Sequence, residues 1–480
     1  MALSLPDLTG FLTIADDLEE FVAARGVWDR IVFTGAVDAA HFRGGFNTAI
    51  FHQTVDTVTT GNKADAFYFL SDAKDIFAGH GDNLIASAGA IEAVYAGNGD
   101  DTVILDGTSE GAVLQLGHGD NTVSAHTGVI DELVTGAGAD VATIRGASYV
   151  DLGAGDNTMD ATHYIWRLFT REGDDTVTLG LRGEGAGADA GRVSLGQGDD
   201  TLTATNWINI VNAGGGDDHI TLAAGGSKIA LGPGHDTLVN GAWFGQILAG
   251  HGNDTVTVGN GANISLGSGH DWLVSAGAIA TLDTGRGSDR VDVLGGADAV
   301  SMGRGADILG QEGVTGVIGI VTSLNMGGGH DAVHDLEGAG SVALGHGNDT
   351  LSASGDVGVL DAGNGHDVIT VTAGATVYGG KGWDTLKNGT GATFLMGDGG
   401  RDTFHFTDDA SNYDYFDGGT GRDTLVVEVT SAERKAELEA LFAAHADISD
   451  DLKVNNAANL YFETLRLEID KIELIEIVIV

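Results

Sequence analysis

The sequence predicts an all-β protein built as a long parallel β-solenoid. Three observations predict this fold. A G-x-G-x-D or G-x-G-x-N loop recurs about every 18 residues along the 480-residue chain. Apolar and polar residues alternate on both sides of each loop, which is the period of a β-strand. Gly contributes 78 residues and Pro only 2, a composition that suits repeated tight turns and lacks the G-X-Y period of collagen.

Each repeat consists of a loop, a strand, a second turn and a second strand. Residues +2 and +4 after the last loop residue are apolar, as in Val256 and Val258, and so are the residues before the loop, as in Ile264 and Leu266. The second turn is commonly Gly-Ala. Such a unit forms one flattened coil, and neighbouring coils pair in parallel about 4.8 Å apart. We expect about 22 coils over residues 26–427.

Short helical caps are predicted at both ends of the solenoid. Residues 1–25 carry apolar residues at helical spacing and are expected to form an N-terminal helical cap. Residues 428–480 are expected to form the C-terminal cap, with Thr430 and Glu433 opening a helix that ends near His445. Two repeats are longer than the others, and insertions around 180–192 and 309–323 should bulge from the coils.

The charge and the missing cysteines exclude several classes of protein. The formal net charge is −46 at pH 7, which opposes binding to nucleic acid or to an anionic membrane. Without any Cys the chain has no disulfides, no thiolate catalysis and no zinc-ribbon site. Its first residues lack the basic and apolar regions of a secretory signal peptide. Export would therefore need another route.

The closing residue of each loop, its last Asp or Asn, is the candidate metal ligand. Two Gly allow the loop carbonyls to turn toward one point, and a carboxylate completes the oxygen set that Ca²⁺ prefers. The sequence therefore predicts multiple Ca²⁺ ions, roughly one per coil, along one edge. The Asn sites should be weaker rather than lost. The candidate ligands are Asn83, Asp101, Asn121, Asp140, Asn157, Asp175, Asp200, Asp218, Asp236, Asp254, Asp271, Asp289, Asp307, Asp331, Asp349, Asp367, Asp384, Asp402 and Asp423.

The loops resemble the calcium-binding nonapeptide repeat of the RTX, or repeats-in-toxin, family. Its motif G-G-x-G-x-D-x-U-x is matched fully by GGTGRDTLV at 418–426, and GNGDD at 97–101 is similar. The resemblance implies a parallel β-roll that folds outside a bacterial cell after type I secretion. It also implies an uncleaved C-terminal signal, which the tail of residues 428–480 resembles. In the usual roll both edges bind ions, whereas here the loop recurs every 18 residues rather than every 9, which predicts a ladder on one edge only.

The sequence favours a structural function over catalysis. RTX enzymes carry a separate catalytic domain, but here coils fill most of the chain, and neither H-E-x-x-H nor G-x-S-x-G occurs. Eight loop His are attributed to solvated variation rather than to a zinc row. We expect a secreted calcium-binding protein that self-assembles on extracellular Ca²⁺ into a surface layer or filament, with itself and the type I secretion apparatus as partners. The alternative is a calcium-dependent adhesin or an accessory protein for cell-surface polysaccharide; ice binding and RTX catalysis are less favoured.

Overall fold

The computed structural model shows a parallel β-solenoid, as the sequence predicts. It describes residues 11–23, 30–43, 46–180, 190–311, 318–407, 412–445, 447–449, 452–454 and 459–480. The chain forms two compact units, Met1–Ala242 and Trp243–Val480. In each unit, every coil contributes one strand to face A, which follows the loop, and one to face B, which precedes it.

The first unit contains the strands of both faces from Leu12 onward. Two long strands, Thr122–Thr135 and Val141–Asp151, run across both faces. Face A contains Leu12–Ile14, Arg30–Phe33, Thr48–Phe51, Ala66–Phe69, Leu84–Ser87, Thr102–Leu105, Thr158–Ala161, Thr176–Leu179, Thr201–Ala204, His219–Leu222 and Thr237–Asn240. Face B contains Leu18–Ala23, Val37–Phe42, Val55–Thr59, Ala73–Gly79, Ile91–Ala96, Val113–Gly117, Ile165–Glu172, Ala190–Gln197, Ile208–Gly215 and Gly226–Pro233.

The second unit repeats the arrangement and adds short strands in the loops. Face B contains Phe244–His251, Gly261–Ser268, Ile279–Arg286, Ala297–Ser301, Val321–Asn325, Ala339–Ala343, Val357–Asp361, Ala375–Tyr378, Thr393–Met396, Asp414–Asp417 and Leu467–Asp470. Face A contains Thr255–Val258, Trp272–Ser275, Arg290–Val293, Ile308–Leu309, Ala332–Leu336, Thr350–Ala353, Val368–Val371, Thr385–Lys387, Thr403–Thr407, Thr424–Val429 and Leu474–Ile479. A three-stranded loop sheet is formed by Lys381–Gly382, Gly399–Gly400 and Thr420–Gly421.

The strands of one face pair in parallel, and the register places equivalent residues of successive coils side by side. On face B, Val193 lies opposite Val211, which lies opposite Ile229. All three side chains are fully buried. The core is therefore a set of aliphatic columns, each residue of which contacts its equivalent one coil away. Stability in such an arrangement is a sum over neighbouring coils.

An aromatic column replaces the aliphatic one in the first coils. Phe33, Phe51 and Phe69 stack with ring centroids 4.8 and 5.1 Å apart and interplanar angles of 7° and 8°. This column is not predicted from the sequence, because a 6% aromatic content favours a core of small aliphatic side chains. The register of face A explains it, since the three Phe occupy equivalent positions of consecutive coils.

Substituting the central ring should be costly. Phe51→Ala is expected to destabilise the first unit by about 3–5 kcal/mol, because Phe51 is 1% exposed and stacks on both sides. Chemical denaturation in calcium measures the loss. The matched control is Phe77→Ala, which removes a 42% exposed ring stacked on one neighbour, Tyr95. Equal losses for the two variants would contradict the assignment.

The prediction of an N-terminal helix within residues 1–25 is wrong for residues 11–23, which form two strands. Leu12–Ile14 pairs with the coil at Ile31, and Leu18–Ala23 pairs with Val37–Phe42. The apolar residues that fit a helical period are split between faces, since Leu12 is 61% exposed whereas Phe21 packs on Phe33. Pairing with the open edge of the next coil outweighs the local helical pattern. The remainder of that prediction, residues 1–10 and 24–25, lies outside the described residues.

The C-terminal helix is present at Ala432–Ala443. Its N-cap is Ser431, one residue after the predicted Thr430, and the Ser431 hydroxyl accepts a hydrogen bond from the Arg434 N–H at 3.1 Å. Leu438 and Phe442 are buried beneath it. No helix in the described part of the chain is long and apolar enough to cross a membrane.

The tail beyond the helix completes one more coil. Leu467–Asp470 pairs in parallel with Asp414–Asp417, and Leu474–Ile479 pairs with Thr424–Val429. An antiparallel strand, Leu460–Phe462, lies along Leu467–Ile469. Solenoid pairing therefore continues past residue 427. Of the two predicted insertions, residues 181–189 and 312–317 lie outside the described residues. The described residues at their edges include parts of the paired strands Ala190–Gln197, Ile308–Leu309 and Val321–Asn325.

Candidate metal-binding edge

All the closing residues predicted from the sequence lie in one buried row in each unit. Each is between 0 and 2% exposed. The backbone N–H of one closing residue donates to the side-chain Oδ1 of the closing residue in the next coil. Within the units these bonds measure 2.7 to 3.1 Å, as from Asp200 to Asp218 at 3.0 Å and from Asp349 to Asp367 at 2.7 Å. We call this row the closing ladder.

The closing ladder is longer than the regular motif indicates. Asn47 and Asp65 belong to it, although their loops are degenerate, and the N–H of Asn47 donates to Asp65 Oδ1 at 2.8 Å. At the other end the N–H of Asp423 donates to Glu473 Oε2 at 2.6 Å. Asp65 and Asn47 can be found in the sequence by counting back from Asn83 in steps of 18 residues. Glu473 has no such signal, because its coil follows the helix and breaks the period.

Fifteen of the closing Asp residues have a second carboxylate oxygen without a hydrogen bond. The Oδ2 atoms are buried and lack a protein partner, which is a costly state for an oxygen that carries charge. Buried carboxylates need a proton, a donor or a cation. The residues with an unbonded Oδ2 are Asp65, Asp101, Asp140, Asp175, Asp200, Asp218, Asp271, Asp289, Asp307, Asp331, Asp349, Asp367, Asp384, Asp402 and Asp423. Asp106 and Asp292 also have an unbonded buried oxygen but lie off this row.

These oxygens face other oxygens. A methyl group placed on Gly397 would lie 2.5 Å from Asp402 Oδ2 and 2.9 Å from the carbonyl oxygen of Gly418 in the next coil. At Gly379, one coil earlier, the corresponding distances are 2.9 Å to Asp384 Oδ2 and 3.1 Å to the carbonyl oxygen of Gly397. A carboxylate oxygen and a carbonyl oxygen thus converge on one point. A cation bound there, or a proton on the carboxyl group, would offset the repulsion between them.

Burial raises the pKa of these carboxyl groups. The pKa of Asp200 rises to about 7 because burial removes water from the charged form, and the hydrogen bond from the Asp175 backbone only partly opposes this. The neighbouring carboxylates raise it further. Asp307 and Asp402 rise to about 7 for the same first reason. A row of buried, mutually repelling acids indicates that the edge is built for a bound cation or for protons.

Loop glycines keep this edge compact. Gly347 has φ +149°, and a methyl group there would lie 1.3 Å from the carbonyl oxygen of Gly329 one coil away. Only Gly permits that approach and that conformation. The repeated Gly therefore brings successive loops close enough for their carbonyls and carboxylates to share one ligand sphere.

The chemistry of the donors fits Ca²⁺ better than a transition metal. Carboxylate and backbone carbonyl oxygens are the ligands of hard cations. Among the described residues, no group of three His, Asp or Glu side chains converges on one point. A bound ion would therefore depend on loop carbonyls together with one closing carboxylate per coil.

The loop His have a structural role that the sequence pattern does not predict. His80 Nδ1 accepts a hydrogen bond from the Asn98 N–H at 2.9 Å, and His270 Nδ1 accepts one from the Ser288 N–H at 2.8 Å. His80 is the first variable residue of its G-x-G-x-N loop, and His270 is the second variable residue of its G-x-G-x-D loop. In other coils an Asp at the second variable position accepts the equivalent hydrogen bond, as Asp82 Oδ1 does from the Asp100 N–H at 2.9 Å. These His belong to exposed hydrogen-bonded rows outside the closing ladder.

A methyl group at the point where Asp402 Oδ2 and the Gly418 carbonyl oxygen converge should prevent one calcium ion from binding. Gly397→Ala is expected to lower the bound calcium by one ion and to lower the Tm more in calcium than in chelator, because its methyl group would lie 2.5 Å from Asp402 Oδ2. Calcium analysis and calorimetry check this. Gly328→Ala is the control, since its methyl group would lie 3.9 Å from the nearest atoms. An unchanged calcium count in Gly397→Ala would show that no ion binds there.

Comparisons with known proteins leave the family open. No family model matches the chain, and no curated protein matches it. Among solved structures, the X-ray crystal structure of a hyperactive, Ca²⁺-dependent, β-helical antifreeze protein from an Antarctic bacterium is 17% identical. The alignment covers 93% of this chain and 96% of that one, with a TM-score of 0.17. A similarity this weak supports no argument, so the proposals below depend on the chain's own geometry.

Proposed function

We propose that the protein is a non-catalytic, calcium-dependent structural solenoid, folded and stiffened by Ca²⁺ ions along the closing ladder. The row of buried Oδ2 atoms that face carbonyl oxygens carries the proposal. Each ion would be held by one closing carboxylate and by loop carbonyls, and would neutralise charge that otherwise opposes coil stacking. About twenty divalent ions would offset most of the −46 net charge.

The proposal includes secretion and self-assembly. Membership of the RTX family, export by a type I apparatus and an extracellular bacterial location are proposed on the strength of the sequence resemblance alone. Low calcium inside the cell would leave the chain unfolded for export, and millimolar calcium outside would fold it. The neutral Gly-Ala edge opposite the ladder is the surface proposed for contact between copies in a surface layer or filament.

The structure alters one part of this proposal. The apolar tail is suited by its sequence to assembly, but Leu474–Ile479 already pairs with Thr424–Val429 inside the same chain. Ile475 and Ile477 are buried, and the N–H of Ile475 donates to the Leu452 carbonyl. Self-assembly is therefore assigned to the Gly-Ala edge rather than to the tail.

Electron microscopy of the purified protein with and without calcium tests the proposal. Ordered sheets or fibres that form on adding calcium and dissolve in chelator are expected. A folded protein that stays monomeric in calcium would overturn self-assembly while leaving calcium-dependent folding intact. A protein that binds no calcium would overturn both.

Binding of an acidic polysaccharide is the second candidate, and one surface favours it. Trp166 is 52% exposed and its ring lies against Gly191. Arg167 and Arg192 are exposed and occupy paired positions on face B beside it. An aromatic face next to two cations suits a sugar ring that carries carboxylate or sulfate. Retention on an acidic polysaccharide that Trp166→Ala abolishes would support this function.

The register of the Thr residues argues against ice binding. Thr176 and Thr178 pair with Thr201 and Thr203 in the next coil. Beyond these two coils His219 interrupts one of the two columns. A paired Thr array of two coils is a small surface, and ordinary β-propensity explains it.

A further inference from the structure

The closing residues alternate in the first part of the chain. Eight successive coils carry, in order, Asn47, Asp65, Asn83, Asp101, Asn121, Asp140, Asn157 and Asp175. From Asp175 onward every closing residue of the repeat is Asp. The alternation coincides with a change in hydrogen bonding at the buried edge.

The orientation of each amide is fixed by the closing ladder. Asn83 Oδ1 accepts the N–H of Asp65, and Asn121 Oδ1 accepts the N–H of Asp101, both at 3.1 Å. A backbone N–H cannot donate to an NH₂ group, so the amide oxygen must face the ladder. The amide nitrogen then occupies the place of the unbonded Oδ2 in the Asp coils.

That nitrogen donates to the loop carbonyls. Asn157 Nδ2 lies 2.7 Å from the Gly155 oxygen, 3.4 Å from that of Gly153 and 3.5 Å from that of Thr170 in the next coil. Asn83 Nδ2 donates to the Gly81 oxygen at 2.6 Å. The side chains of Asn83, Asn121 and Asn157 are buried, since these residues are 1–2% exposed.

Asn121 shows the same pattern. Its Nδ2 lies 2.9 Å from the Gly119 oxygen and 3.3 Å from the Gly117 oxygen. The carbonyls of both loop glycines are thus directed at the amide, as they are in the coil of Asn157.

The carbonyls that receive the amide are equivalent to those at the Asp sites. Thr170 lies five residues before Asp175, and Gly418 lies five residues before Asp423. The carbonyl at this position faces Asn157 Nδ2 in one coil and shares a point with Asp402 Oδ2 in another. The amide nitrogen therefore stands where the oxygen ligands of an ion would converge.

We propose that Asn83, Asn121 and Asn157 take the place of the cation in their own coils, so that these coils bind no calcium. This inference rests on the proposed calcium sites of the Asp coils, and it replaces the expectation of weaker Asn sites. A side-chain NH₂ supplies two proton donors at no net charge. Asn121 and Asn157 direct them at loop carbonyls, whereas Asn83 donates to the Gly81 carbonyl and to Asp101 Oδ1 at 2.8 Å. A cation could not share that place with the amide nitrogen, and the closing side chain of the same coil offers it no carboxylate oxygen.

A second kind of donor supports the same stretch. Thr170 Oγ1 donates to the Leu195 carbonyl at 2.8 Å, and Thr135 Oγ1 donates to that of Leu152 at 2.5 Å. These carbonyls lie at the equivalent position, five residues before the next closing residue. Asn amides and Thr hydroxyls thus satisfy oxygens at this edge over residues 47–200, whereas the later Asp coils have fewer such donors. The first coils should depend less on calcium than the later ones.

Adding one carboxylate should add one ion. Asn121→Asp in the full chain is expected to raise the calcium count by one and to lower the Tm in chelator, because the carbonyls lose their donor. The matched variant Asp218→Asn lies in a continuous Asp stretch and should lower the count by one. Native mass spectrometry counts the ions, and elemental analysis of gel-filtered protein checks the count.

Asn83→Asp and Asn157→Asp repeat the test if Asn121→Asp does not fold, as judged by circular dichroism. An unchanged count in a folded Asn→Asp variant overturns the inference, and so does the loss of an ion when Asn121 is replaced by Ala. The proposed function fails separately, if the wild-type protein binds no calcium at all.

Discussion

Removing calcium is expected to unfold most of the second unit. From Asp254 to Asp423 the closing residues of the repeat are all Asp, and the unbonded Oδ2 atoms from Asp271 onward lie in a buried row whose charge only a cation or a proton can offset. One ion present at a hundred times its dissociation constant stabilises the folded state by about 2.7 kcal/mol. Five such ions would contribute about 13 kcal/mol, close to the whole stability of a typical domain.

Circular dichroism and calorimetry in calcium and in chelator measure this effect. We expect the strand signal to fall by about half and the melting transition of the second unit to disappear in chelator, and both to return on adding Ca²⁺. Magnesium at the same concentration is the control, because its small octahedral shell suits this carbonyl-rich set poorly. A transition unchanged by chelator would show that hydrogen bonds alone maintain the closing ladder.

The calcium-free protein should become more stable as the pH falls from about 8 to about 5. Burial raises the pKa of closing carboxyls to about 7 in the folded state, as at Asp101, Asp218 and Asp384. The same groups titrate near 4 in the unfolded chain. Between these values the folded state binds more protons, so stability rises as protons are added and is lost as the pH rises through about 7.

Calcium should reverse this dependence. A proton and Ca²⁺ compete for the same oxygen, so the stability gained from calcium shrinks between about pH 7 and pH 5. Melting curves at both pH values, in calcium and in chelator, give the comparison. Asp218→Asn should reduce the pH dependence in chelator, whereas Asp217→Asn removes an equal but exposed charge and should reduce it less. An equal change in both variants would attribute the effect to net charge alone.

The sequence predicts the repeating part of the molecule because every coil obeys the same local rules. The loop motif, which recurs about every 18 residues in most coils, identifies the closing Asp residues that lie in the buried row, and the register confirms the aliphatic columns at Val193 and Val211. The errors occur where the repeat ends. Leu12–Ile14 reads as part of a helix, yet it meets an open strand edge that only the folded neighbour provides.

The roles of individual side-chain atoms in the closing ladder could not be predicted from the sequence. Asp and Asn look interchangeable as oxygen ligands, and the sequence gives no sign of which atom faces inward. That choice follows from the N–H of the preceding closing residue, as at Asp101 and Asn121. The role of Thr170 could not be predicted from the sequence either, because its hydroxyl donates to the carbonyl of Leu195, which lies 25 residues later in the chain.

The same backbone N–H to Oδ1 hydrogen bond joins successive coils along the closing ladder, and this uniformity affects how such a chain can change in length. The N–H of Asp200 meets Asp218, and that of Asp271 meets Asp289, through the same bond. Loss or duplication of one whole repeat would rejoin matching surfaces, so the gene can gain or lose single repeats without redesign. An insertion of one residue within a strand would instead turn the following side chains to the opposite side.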